Sequence, residues 1–178
     1  MTTDPYALVS RTPQRIAVAG IRLTIPYAPA AAWLDSLRQP FTVALSMADS
    51  PSRDRLLDAM IERGGLTVPL RTASLDLLRR MSGWDFWWET VRLAGLGAGD
   101  LLGELTLRGV DPWNVSLGQW CSATYTACIR DAKQEDRFRF DAQLSFPPAG
   151  YEDEWDDGVD LDATEAAMAG IPGLSIGG

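Results

Sequence analysis

The sequence predicts a mainly α-helical protein of the α+β kind: a multi-helix body, a small N-terminal β-strand or hairpin, and a disordered acidic C-terminal tail. Three observations carry this. Between Ala30 and Leu144 apolar residues recur mostly at three- and four-residue steps, the spacing of one helical face. A single β-branched run, Arg15 to Tyr27, alternates with period two instead. After residue 150 there is no base, while Glu152, Asp153, Glu154, Asp156, Asp157, Asp160, Asp162 and Glu165 follow among glycines, a composition that cannot bury enough apolar surface to order itself.

Taken in order, Ile21, Leu23 and Ile25 alternate with Arg22 and Thr24, which predicts a strand, or a hairpin bent near Gly20. Pro29 opens a short helix in which Trp33, Leu34 and Leu37 share a face, and Pro40 ends it. Phe41, Val43, Leu45 and Met47 alternate with smaller or polar residues and read as a second strand. Ser50 as N-cap, Pro51 at the first position and Gly64-Gly65 at the far end bound the next helix. A third helix is expected from near Ser74 to Gly83, and a fourth from Trp84 to about Leu93. Gly95, Gly97 and Gly99 read as a flexible connection, and Gly109 to Pro112 as a turn. Ser116 to about Arg130 places Leu117, Trp120, Cys121, Thr124, Tyr125 and Cys128 on one stripe. Lys133 to Leu144 is the last helix, stopped by Pro147-Pro148. The expected organisation is a body over residues 1–150 and a tail over residues 151–178, in which Asp162 and Glu165 could cap a brief helix.

Composition narrows the function. Hydrophobic residues make up 46% and charged residues 22% of the chain, enough apolar material for a core. All 16 bases precede residue 151, and removing the eight tail acids from 24 leaves 16, so the net charge of −8 resides in the tail. A neutral body disfavours nucleic-acid binding through a basic face, although a local arginine patch could exist. No apolar run reaches the roughly 20 residues of a membrane span, and Met1 to Pro13 lacks a signal-peptide layout, so the cytoplasm is the expected compartment. The two cysteines, Cys121 and Cys128, are expected to be reduced.

Catalytic and metal chemistry find little to work with. The chain has no histidine, which removes the Ser-His-Asp and Cys-His arrangements and the usual zinc sites. Lys133, the only lysine, reads as a surface residue, and Cys121 and Cys128 as small hydrophobes of a core stripe. The 95–99 glycine segment lacks phosphate-loop spacing, and the tail acids fit no EF-hand register. Asp85, Glu89 and Glu104 lie near aromatics and leave a carboxylate-dependent hydrolase as a rival, although their expected place is the polar side of an amphipathic helix. No catalytic residue, metal or cofactor is expected.

The seven tryptophans ask for an explanation. Trp84, Trp87 and Trp88 share a helical face and read as core, with Phe86 pointing elsewhere as a candidate anchor for a partner. The partner-binding candidates are Trp84, Phe86, Trp87, Trp88, Trp113 and Trp120.

Four stretches resemble the tail assembly chaperones of actinobacterial tailed phages. They are the opening strand running into Pro26-Tyr27-Ala28-Pro29-Ala30-Ala31-Ala32-Trp33-Leu34, the cluster Gly83-Trp84-Asp85-Phe86-Trp87-Trp88, the segment Trp120-Cys121-Ser122-Ala123-Thr124-Tyr125, and the closing Glu135-Asp136-Arg137-Phe138 to Pro147-Pro148-Ala149-Gly150. The resemblance implies a non-enzymatic, mostly helical protein of the host cytoplasm. It would bind the tape-measure protein, and also tail-tube subunits, during tail morphogenesis, without nucleic acid or membrane and with homo-oligomers allowed. A minor tail or connector protein retained in the virion is the alternative within the same setting.

Overall fold

The structure, a computed structural model, describes residues 12–152. The expected tail beyond 152, with its Asp162/Glu165 cap, lies outside the described residues.

Alternation in the opening run does make a hairpin, β1 (Gln14–Val18) and β2 (Ile21–Ile25), antiparallel with Gln14 opposite Ile25 and Val18 opposite Ile21. Its two-residue turn, Ala19-Gly20, has φ of 47° and 83°, the paired positive values of a type I′ connection. Val18, Leu23 and Ile25 face inward, and Arg15 and Arg22 face out.

Among the described residues eight α-helices follow: α1 (Ala30–Ser36), α2 (Val43–Met47), α3 (Ser50–Arg63), α4 (Thr67–Ser82), α5 (Trp87–Ala98), α6 (Leu102–Leu107), α7 (Leu117–Ile129) and α8 (Gln134–Ser145). The protein is therefore mainly helical with one small N-terminal hairpin. Helix α4 lies at its centre, packed against β1, α2, α5 and α7, and the buried apolar side chains form a single cluster that includes Trp33, Trp88 and Trp120.

Several boundaries differ from the sequence reading. No strand forms at residues 41–47: Pro40–Thr42 is a 3₁₀ turn and α2 follows. Val43 and Ala44 are both buried, and adjacent burial suits a helix but not a strand with one solvent face. Asp49, not Ser50, caps α3; its carboxylate accepts from the Ser52 N–H at 2.9 Å. Ser52 is thereby free to accept the Thr24 N–H at 3.1 Å, while the Asp49 N–H donates to the Thr24 carbonyl at 2.9 Å. The start of α3 is thus laced to β2. Helix α4 begins at Thr67, seven residues before the expected Ser74. Pro69 is tolerated because amides in the first turn have no intrahelical acceptor to lose.

The largest difference concerns the glycines. Helix α5 starts at Trp87 and runs through Gly95 and Gly97 to Ala98, so the expected flexible connection is helix. Gly97 is buried at the crossing with α7. A methyl group there would meet the Trp120 indole at 2.8 Å and would also collide with Thr124 Oγ1. Gly95 faces open space.

At the other end, Tyr151 is half-buried, its ring 5.5 Å from that of Phe41 and 5.4 Å from that of Trp87. The packed body therefore extends past residue 150. Among the described residues no helix is long and apolar enough to cross a membrane.

Candidate functional site

The six aromatic candidates are placed unequally. Trp120 is fully buried, its indole N–H directed at the Ala94 carbonyl at 3.4 Å. Trp87 and Trp88 are also buried and meet edge to face at 5.7 Å. Phe86 does not stand apart as an anchor: it stacks flat on Trp88, with centroids 4.5 Å apart and planes 9° from parallel. Trp84 is half-buried and tilts against Tyr125 at 5.1 Å. It precedes α5, so the expected common helical face does not include it. Trp113, in the loop before α7, is 69% exposed and is the one residue of the six that is mostly open to solvent.

What the aromatic segment builds is a seat for α8. The Trp88 indole N–H donates to the Ser145 carbonyl at 3.1 Å. One turn on, the Arg92 guanidinium donates to the carbonyls of Gln143, Leu144 and Phe146, at 2.7, 2.8 and 2.5 Å. The first two are acceptors that a helix leaves unpaired in its last turn and the third follows directly after it, where a cation is also favoured by the helix dipole. Arg92→Met, which keeps the stem and deletes the donors, is expected to cost about 2 kcal/mol, measurable as a lower urea midpoint.

Glu89 completes the seat. It lies buried, not on a polar face, accepting the Phe86 N–H at 3.0 Å and the Ser145 hydroxyl at 3.4 Å. Burial pushes its carboxyl above the ordinary value of 4.5, opposed by the Phe86 N–H. A raised folded value means that the protonated form suits the fold better. The contribution is fully present below pH 4.5 and is lost as pH rises through the folded value. Glu89→Gln is expected to remove this loss. The stability of the variant relative to the parent should rise with pH from 4 to 7, as read by urea midpoints at fixed ionic strength.

Beside this seat, α5 and α8 enclose a groove of about 610 Å³ lined by Val91, Leu96, Phe140 and Leu144. Gly95 and Gly99 leave part of its α5 side without side chains, which allows another backbone to come close there. Arg92 and Asp100 supply one charge of each sign. The opposite side of α8 carries Phe138, 61% exposed, and Phe146 beyond its end is 53% exposed. Single exposed apolar residues are ordinary, but an apolar groove between two helices has the form of a helix acceptor. Arg92, Gly95 and Gly99 were invisible as groove residues in the sequence, because the partner wall lies some fifty positions away.

The remaining reactive groups lie apart from one another. Cys121 is buried with its thiol pushed up to about 12 by loss of solvent, and its Sγ lies 3.8 Å from the Thr90 carbonyl oxygen. Cys128 is half-buried. Glu104 pairs with Arg108 at 2.8 Å and Arg130 at 3.0 Å, and Asp85 is exposed. Among the described residues no cluster of three acids or thiols could hold a metal. Comparison with protein-family models, with curated proteins and with solved structures finds no match.

Proposed function

We propose that the protein acts by binding other proteins, as a phage tail assembly chaperone that receives apolar helical segments of the tape-measure protein in the host cytoplasm. The observation that carries this reading is the groove between α5 and α8, with Val91, Leu96, Phe140 and Leu144 as its apolar lining and no side chains at Gly95 and Gly99. A tape-measure chain awaiting its tube exposes apolar helical stripes, and such a groove covers a stripe by helix-in-groove contact. The resemblance of the Gly83–Trp88 and Trp120–Tyr125 stretches to such chaperones supports the same reading. Trp113 offers a second, separate contact for a tail-tube subunit.

The test is co-expression of the tagged chain with its neighbouring tape-measure protein, followed by pull-down and by mass spectrometry of purified virions. The chaperone reading expects co-purification from cells and absence from particles. A fixed copy number in particles would make the chain a minor tail or connector protein instead. Gly95→Glu places a charged side chain in the groove from a position with open space around it, and should abolish co-purification while the protein stays folded. Retained capture by that variant would overturn the groove as the site.

A further inference from the structure

A second concavity, of about 700 Å³, lies between the hairpin and helices α3 and α4, and its rim is basic: Arg15, Arg22, Arg55 and Arg80, with Asp76 the single acid. The four come from four different elements, which is why no basic run announced them. Arg55 is held in place, donating to the Arg22 carbonyl at 3.2 Å and to Ser52 Oγ at 3.1 Å. The guanidiniums of Arg15, Arg22 and Arg80 make no hydrogen bond or ion pair with any described residue. Arg15 and Arg22 lie diagonally on one face of the hairpin, where like charges repel. A neutral body has therefore gathered unpaired cations around one hollow, at an electrostatic cost that an anionic occupant would reverse.

We propose that this groove seats the chain's own acidic segment, residues 153–165. That segment carries Asp153, Glu154, Asp156, Asp157, Asp160, Asp162 and Glu165 and no base, which makes it complementary to the rim. Residues 1–11 hold one acid and one base, Asp4 and Arg11, and are not complementary. The departure point also fits. Tyr151 is packed on Phe41 and Trp87, with the Arg71 guanidinium of α4 5.7 Å from its ring. Ala73, Asp76 and Arg80, which line the groove, lie on the other side of the same helix at about 100° per residue. The path is thus around one helix, about 10–12 Å across, and eight extended residues span about 26 Å. Seven acids over thirteen residues allow several registers, so the contact is electrostatic and exchangeable.

The test uses the full-length chain, uniformly labelled with ¹⁵N. In about 20 mM salt, where exposed charges act over about 20 Å, relaxation should show residues 153–165 restrained, and about 0.5 M salt should release them. Arg15→Gln/Arg22→Gln/Arg80→Gln should release them already at low salt and shift the Arg22–Thr24 amides, with the indole resonance of Trp120 unmoved as a control of folding. Equal mobility of 153–165 in parent and triple variant at low salt would overturn the proposal. Restraint that disappears on dilution would overturn it as well, by assigning the contact to a second copy.

Discussion

Alanine at Gly97 is expected to destabilise the protein by about 2–3 kcal/mol, while the same change two residues earlier, at Gly95, is expected to stabilise it by about 0.5–1 kcal/mol. Both glycines lie inside α5, where the intrinsic helix preference favours alanine equally at either position. The difference is what each α-carbon faces. At Gly97 the added methyl runs into Thr124 Oγ1 and the buried Trp120 ring, so α5 and α7 must separate and every contact along their crossing loosens. At Gly95 nothing stands within 4 Å. Paired urea titrations decide the matter: opposite signs are the signature of a close helix crossing beside an open groove, and a flexible connection would instead give two small effects of the same sign.

Trp88→Ala is expected to cost about 3–5 kcal/mol. The ring is 2% exposed, and its removal leaves Phe86 without its stacking partner, Trp87 without an edge contact, and the Ser145 carbonyl without its indole donor. Trp113→Ala, at a ring 69% exposed, is expected to change stability by no more than about 0.5 kcal/mol. Thermal melts of the two variants separate a tryptophan that builds the body from the exposed Trp113, the one large exposed indole among the described residues. A Trp88→Ala protein as stable as its parent would mean that the α8 seat described above is not the source of its own rigidity.

The parts legible in the sequence were those set by local pattern. Ile21, Leu23 and Ile25 announce β2 because alternation is a local property, and Ser116 marks the start of α7, where its Oγ accepts the Gln119 N–H at 3.2 Å. The same alternation misread Phe41 to Met47, since Pro40 opens a 3₁₀ turn that feeds a helix too short for periodicity to reveal. Gly97 could not be distinguished from a breaker because its reason for being glycine is Trp120 and Thr124, more than twenty residues away. Glu89 looked like a surface acid until its partners, the Phe86 N–H and the Ser145 hydroxyl, were in place. Aromatic count was a sound guide to something structural, but burial sorts the rings, and burial is decided by the whole fold. The arginine rim is the extreme case, since it exists only once β1, β2, α3 and α4 have assembled.

The buried thiol of Cys121 gives the protein an internal clock. With its proton held until about pH 12 and its sulfur sealed at the α5/α7 layer, the side chain cannot meet an alkylating reagent in the closed state, because the thiolate is the attacking species. Labelling therefore proceeds only through openings that part those helices, and its rate at saturating reagent counts them. Cys128, half-buried about two turns further along the same helix, has its thiol raised by burial and by Glu104 but is less sealed, and it is expected to label faster and to serve as the reference. With both its thiols free, the chain thus carries, seven positions apart on one helix, both the stopwatch and its reference for the breathing of its own core.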